Sequence, residues 1–168
     1  KINILKYVKK KINGRIPIVF GIGGNNTTDV ISLIKEIDLK GVEAILSVAP
    51  YYNKPTQDGL YAHFEQIALN SPVDIILYNV PSRTSVNINV ETIKKLAENH
   101  KNIIGIKEAS GDIVKSMDII SKTPKDFMLI SGDDKLTFPI MSLGGCGVIS
   151  VQAMAFPNLF VKMVKSIN

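Results

Sequence analysis

Tryptophan is missing from this 168-residue chain, and cysteine occurs once, as Cys146. One thiol cannot close an intrachain disulfide, so a reducing, cytoplasmic setting is expected. Histidine occurs twice, as His63 and His100, and neither stands at a spacing that suits a metal. No run approaches the roughly 18 unbroken apolar residues of a membrane span. Charge of one sign is not concentrated either. Lysine and arginine exceed aspartate and glutamate by 20 to 15, a formal net charge of +5, but the lysines are scattered and the one run is Lys9-Lys10-Lys11. That pattern supports solubility and argues against nucleic acid as a partner. Apolar residues are plentiful, at 45% against 21% charged, enough for one domain with a core over residues 1–168. The chain opens Lys1-Ile2-Asn3 with no leader pattern and stops inside a helical stretch, so both ends are expected to be cut.

Six short, nearly all-apolar runs stand out: 16–21, 44–48, 74–78, 103–107, 127–131 and 147–151. Runs of this kind read as strands buried on both faces, as in parallel sheets. Amphipathic helical stretches separate them. Thr27-Thr28-Asp29 opens one that Gly41 can close; others follow Asp58-Gly59, Asn89-Val90-Glu91 and Asp112, and a fifth spans 135–143. Strand–helix alternation predicts βαβ units with right-handed crossovers. The repeat of roughly 20–30 residues approaches the about 31 of an eight-unit barrel, whereas a complete barrel needs at least about 200 residues. An open doubly wound sheet and an incomplete (β/α) barrel both remain.

The polar residues at strand ends carry the candidate chemistry. Lys107 ends an apolar strand. It either reaches solvent or pairs with Glu108, or it is a desolvated amine able to attack a carbonyl and form an imine. Tyr78 ends the preceding strand, as a packed aromatic or as a proton relay. Arg83 follows in the next loop, as a solvated charge or a clamp for a carboxylate. Tyr51 and Tyr52 sit in a proline-bounded loop that reads as a contact surface. Gly21-Ile22-Gly23-Gly24-Asn25-Asn26 misses the dinucleotide spacing, because Asn26 holds the sixth position. Asp133 and Asp134 lack histidine or cysteine partners and read as a helix cap. Cys146 reads as a small packed residue, and the histidines receive no role.

Taken together, Tyr78-Asn79-Val80-Pro81-Ser82-Arg83-Thr84, Gly105-Ile106-Lys107-Glu108-Ala109-Ser110-Gly111 and Gly145-Cys146-Gly147-Val148-Ile149-Ser150-Val151 resemble the dihydrodipicolinate synthase (4-hydroxy-tetrahydrodipicolinate synthase) family, of the pyruvate-dependent class I aldolase type. Pro50 to Pro55 and Ser131-Gly132-Asp133-Asp134 match it too. The resemblance implies a (β/α)₈ barrel present in part, as strands three to eight, without the first two strands and the helical C-terminal region. It implies that Lys107 forms an imine with pyruvate, that Tyr78 shuttles protons, and that Tyr52 completes a relay in a neighbouring subunit. Arg83 would hold the carboxylate of aspartate 4-semialdehyde, with Gly132 and the backbone of Ile149 lining the pyruvate pocket. Asn25, Asp29 and Tyr51 match positions of a lysine-responsive allosteric site. No metal or cofactor is implied, and the partners are pyruvate, aspartate semialdehyde and further copies of the chain, as a dimer or tetramer. N-acetylneuraminate lyases share the tyrosine and lysine but are not expected to carry Arg83, which favours the synthase. A non-catalytic barrel piece is the reading from a different class. Ser85 stands where the family pattern has glycine, and Ile22 where a polar residue is common.

Overall fold

The computed structural model describes residues 2–167. Among them, six strands form one parallel sheet: β1 (Val19–Gly21), β2 (Ala44–Val48), β3 (Asp74–Asn79), β4 (Ile103–Glu108), β5 (Met128–Ser131) and β6 (Gly147–Val148). Each coincides with an expected run, but β1 and β6 are shorter than those runs. Both are edges that pair on one side only, so fewer of their backbone groups find ladder partners. The N–H of Ile149 still donates to the Ser131 carbonyl at 3.0 Å, one residue past β6.

Strand order decides between the two architectures. It runs β1-β2-β3-β4-β5-β6 without a reversal. A doubly wound sheet reverses its order at a switch point; this sheet has none. Right-handed crossovers then place successive helices on the same face, and the sheet twist rolls the strands into an arc. The chain is a singly wound α/β arc of the kind that makes up a (β/α) barrel.

The helices are α1 (Ile2–Ile12), α2 (Thr27–Glu36), α3 (Gln57–Asn70), the one-turn α4 (Pro81–Thr84), α5 (Val90–Asn99), α6 (Ile113–Lys122), α7 (Thr137–Ser142) and α8 (Pro157–Ile167), with a 3₁₀ turn at Gln152–Met154 before the last. Local chemistry fixes their starts. Asn26 Oδ1 accepts from the N–H groups of Thr28 and Asp29, Thr56 Oγ1 from Gly59, and Asp112 Oδ1 from Lys115. α2 ends before Gly41, because Ile37 is already extended. Gly41, at φ +75°, closes instead the tight turn in which Asp38 Oδ1 accepts from Lys40.

The core lies between the strands and the helices. Ile22, Ile45, Ile75, Leu77 and Ile106 meet Leu60, Phe64, Ile67, Ile93, Leu96 and Ile119, and all are fully buried. Each such side chain contributes about 1.5–3 kcal/mol. α8 contrasts with this: none of its residues is buried, and it flanks an apolar hollow beside β6 lined by Val148 and Phe160. Cys146 is exposed rather than packed away, with Sγ 3.4 Å from the Leu129 carbonyl.

His63 lies inside the helix layer. Its Nδ1 is 2.8 Å from Thr27 Oγ1 and its ring stands edge-on to Phe64 at 5.1 Å. Burial lowers its pKa to about 4, so the ring is neutral in the folded chain at pH 7. An unfolded histidine takes up a proton near pH 6.5. Below that value the unfolded state binds more protons, and stability falls as pH drops from about 6.5 to about 4. Chemical denaturation at pH 7 and pH 4.5 should show the wild-type chain losing about 2–3 kcal/mol over this window. A His63→Gln variant, less stable at pH 7, should lose markedly less.

Candidate active site

The register between β3 and β4 builds the site. Tyr78 pairs with Lys107 and Asn79 with Glu108. The pairing is interrupted: Ile75 faces Ile103, but Ile76 faces Gly105, which leaves Ile104 as an extra residue in a bulge. Strict alternation from Ile103 would put Lys107 on the same face as Ile103. The bulge breaks that parity. Ile103 and Ile106 both join the core against the helices, and Lys107 is left on the other face with Tyr78. Gly105 permits the close strand approach this needs, since a Cβ there would lie 2.6 Å from the Met128 carbonyl oxygen.

Lys107 is only 9% exposed, and its Nζ sits 4.3 Å from the centroid of the Tyr78 ring. Burial lowers its pKa below the ordinary lysine value, while Asp134 opposes the shift. Loss of hydration outweighs the pull of the Asp134 carboxylate, so the neutral, nucleophilic amine is more accessible than in a surface lysine. Gly132 makes room for the stem: a Cβ there would meet Lys107 Cε at 3.0 Å and Ala109 Cβ at 2.6 Å. Burial raises the Tyr78 pKa, with Arg83 pulling the other way, so the phenol keeps its proton and can donate it.

Arg83 projects from α4, where Pro81 opens the turn and Ser85 closes it in the left-handed region at φ +59°. A left-handed conformation there accounts for the glycine of the family pattern. Arg83, Tyr78 and Tyr51 share the wall of an open cavity of about 420 Å³ with Val48 and Gly23. Gly23 lies hard against β2, 2.9 Å from the Val48 nitrogen to a Cβ built on it. Asn53 Nδ2 donates to the Asn25 carbonyl at 2.9 Å, tying the glycine-rich turn to the tyrosine loop. Asn25 and Asp29 are exposed near the start of α2. Tyr52 is 88% exposed, at φ +75°.

Two expectations from the sequence change. Asp133 and Asp134 do not cap α7, whose first turn follows Leu136 without a side-chain cap. Asp133 Oδ1 accepts from Lys135, and Asp134 Oδ2 reaches the Gln152 N–H at 3.0 Å. Glu108 does not pair with Lys107. It turns into the helix layer and meets Lys115 Nζ at 3.2 Å. Lys115, buried on α6, carries no signal in the sequence, because a lysine in an amphipathic helix ordinarily faces water. Among the described residues, no three His, Cys, Asp or Glu side chains converge as a metal site would require.

Comparison with known proteins gives the family. The model of the Dihydrodipicolinate synthetase family matches residues 1–168. The chain belongs to that family. A 4-hydroxy-tetrahydrodipicolinate synthase from Flavobacterium psychrophilum is 54% identical over 153 residues, 91% of this chain and 52% of the relative. The crystal structure of dihydrodipicolinate synthase from Aquifex aeolicus superimposes with a TM-score of 0.95 at 39% identity, over 98% of this chain and 56% of that one. The chloride-inhibited dihydrodipicolinate synthase from Acinetobacter baumannii, complexed with pyruvate, superimposes with a TM-score of 0.94 at 40% identity, over 99% of this chain and 57% of that one. The chain therefore spans about half the length of the dihydrodipicolinate synthases it matches.

Removing the buried amine from this member of the family should stabilise it. Lys107→Met keeps the stem and deletes the charge. Because the folded-state pKa is depressed, the unfolded chain binds the proton more tightly, and wild-type stability rises with pH up to about 10.5. Denaturation midpoints should favour Lys107→Met at pH 7, and the advantage should shrink as pH approaches 10.

Proposed function

We propose that this chain is the catalytic part of a 4-hydroxy-tetrahydrodipicolinate synthase, condensing pyruvate with L-aspartate 4-semialdehyde through an imine on Lys107. The observation that carries this reading is the desolvated amine held over the Tyr78 ring at the C-terminal ends of adjacent parallel strands. That end of a barrel strand is where (β/α) barrels do chemistry. The pyruvate complex of the Acinetobacter baumannii relative supports the first substrate.

The chemistry follows from the groups present. Neutral Lys107 Nζ adds to the keto carbon of pyruvate, and water leaves to give the imine. Protonation of the imine nitrogen makes it an electron sink, so a methyl proton is lost and the enamine forms. The enamine carbon attacks the aldehyde carbon of the semialdehyde, whose oxygen takes up a proton. The substrate amine then adds at the imine carbon, a ring closes and Lys107 is released. Tyr78, kept protonated by burial, is positioned to carry protons to and from these atoms. The reading calls for no cofactor, because the imine itself withdraws the electrons.

The other assignments follow as parts of this reading. Arg83 binds the semialdehyde carboxylate in the cavity it shares with Tyr78; a planar guanidinium suits a carboxylate and not a polyol chain, which favours the synthase over a sugar-acid lyase. Gly132 and the Ile149 backbone bound the pyruvate side. Tyr52, exposed and held at a positive φ, serves a neighbouring copy in a dimer or tetramer, since backbone strain of this kind is kept where a site requires it. Asn25, Asp29 and Tyr51 contribute to a lysine-binding regulatory site. The six strands correspond to the third to eighth of a complete barrel.

Borohydride trapping tests the proposal. Incubation with pyruvate and borohydride should leave a reduced adduct on the peptide containing Lys107, faster as pH rises through the depressed lysine pKa. Lys107→Ala should abolish it. Gly132→Ala, which drives a methyl into the lysine stem, should slow capture about 10- to 100-fold. Natively folded wild-type chain that yields no adduct would overturn the catalytic reading and favour a non-catalytic barrel piece.

A further inference from the structure

Behind the strand ends lies a buried ionic cluster that the imine chemistry does not use. Glu108 is 2% exposed, Lys115 8% and Asn79 0%. Lys115 Nζ meets Glu108 Oε2 at 3.2 Å and donates to Asn87 Oδ1. Asn79 Nδ2 lies 3.1 and 2.9 Å from the two Glu108 oxygens and 2.9 Å from Asn87 Oδ1, while Asn79 Oδ1 accepts from the Ile88 N–H. Glu108 Oε1 also accepts from the Ser110 N–H at 2.6 Å. Five segments therefore meet on one carboxylate and one amide: the ends of β3 and β4, the turn after β4, the 87–88 loop, and α6.

Position gives the cluster its meaning. Asn79 follows Tyr78 and Glu108 follows Lys107, and successive strand residues point to opposite faces. Whatever fixes the outer pair fixes the inner pair. The 80–88 segment, which carries Arg83, is held at both ends, at Asn79 and at Asn87. Burying two charges is costly, and apolar residues of the same volume would hold the layers together as well. Apolar packing would not set strand register and loop position to a fraction of an ångström; directional bonds do. Resting on the imine reading of Lys107, we propose that Glu108, paired with Lys115 and bonded to Asn79 and Asn87, is a positioning residue that sets the Lys107–Tyr78 geometry and the Arg83 loop.

A structural anchor and a positioning residue differ in what they do to the amine. The charged and titratable groups around it are Asp134 from the loop after β5, Tyr78 from β3, and Arg83 acting on Tyr78 from α4. Glu108 is occupied by Lys115 on the opposite face. Two readouts are compared in Glu108→Gln, Asn87→Ser and the charge-neutral pair Glu108→Gln with Lys115→Met. One is the pH profile of Lys107 acylation by a small amine-directed reagent, read by peptide mass. The other is the rate of pyruvate capture per folded molecule. The expected result is an acylation midpoint shifted upward, toward ordinary lysine, and capture slowed about tenfold or more. The neutral pair should regain melting temperature without regaining capture rate. If Glu108→Gln fails to fold, Asn87→Ser and the neutral pair decide. Unchanged midpoints and capture rates in folded variants, with only melting temperature altered, would overturn the proposal. A wild-type chain that captures no pyruvate, yet whose Lys107 profile shifts in the variants, would sink the imine reading and leave the positioning role standing.

Discussion

A lysine amine withdrawn from water is an awkward object for a protein to hold, and the rest of this structure is arranged around it. Hydration normally keeps the ammonium charged up to high pH. At Lys107 that hydration is largely gone, and the compensation comes from the face of Tyr78 and the field of Asp134. The destabilisation is what the proposed imine chemistry uses: an amine that sheds its proton more readily is a nucleophile nearer neutral pH. Proximity in sequence does not supply a carboxylate here. The one adjacent in sequence, Glu108, points the other way and is neutralised by Lys115.

Holding the amine in place depends on small departures from regular strand geometry. One extra residue at Ile104 changes which face the end of β4 presents. Glycine at 105 and at 132 lets a neighbouring backbone and the lysine stem approach to distances a side chain would forbid. These features belong together. Without the bulge the lysine would enter the helix layer, and without the glycines it would be pushed off the tyrosine ring. Local irregularity, in a sheet whose register is otherwise uniform and parallel, is concentrated at the strand pair that carries Lys107 and Tyr78.

This division explains what was legible in the sequence. The six strands stood out because a parallel sheet covered on both faces requires unbroken apolar runs. The lysine and tyrosine stood out because polar groups are conspicuous at the ends of such runs. The bulge left no trace, since in a strand apolar on both sides nothing in the alternation marks the residue at which the face changes. Glu108–Lys115 was equally silent: two charges of opposite sign, one beside the candidate lysine and one on an amphipathic helix, read as solvated until the fold buries them together. The singly wound order was beyond the alternation itself, which is common to open sheets and barrels; the motifs that resemble a barrel family pointed to it, and the hydrogen-bonded neighbours show it.

The site and the sheet edges make different demands on the chain. Lys107 and Tyr78 belong to β4 and β3, the central pair, where ladder bonds and the helix layer fix both strands on each side. β1 and β6 have one partner each, and α8 buries none of its residues. Rigidity therefore falls from the centre outward, since edge strands and unburied helices open at lower free energy than a doubly paired core. The amine and its ring sit at the rigid end of that gradient, so local opening at β1, β6 or α8 leaves their spacing intact. The parts of the cavity contributed by Gly23 and Tyr51, tied to each other by the Asn53–Asn25 bond, stand next to the looser edge. The Lys107–Tyr78 pair rests on the central strands, whereas the cavity wall at Gly23 and Tyr51 rests on the periphery, and anything that covers the β1 edge acts on that wall before it acts on the amine.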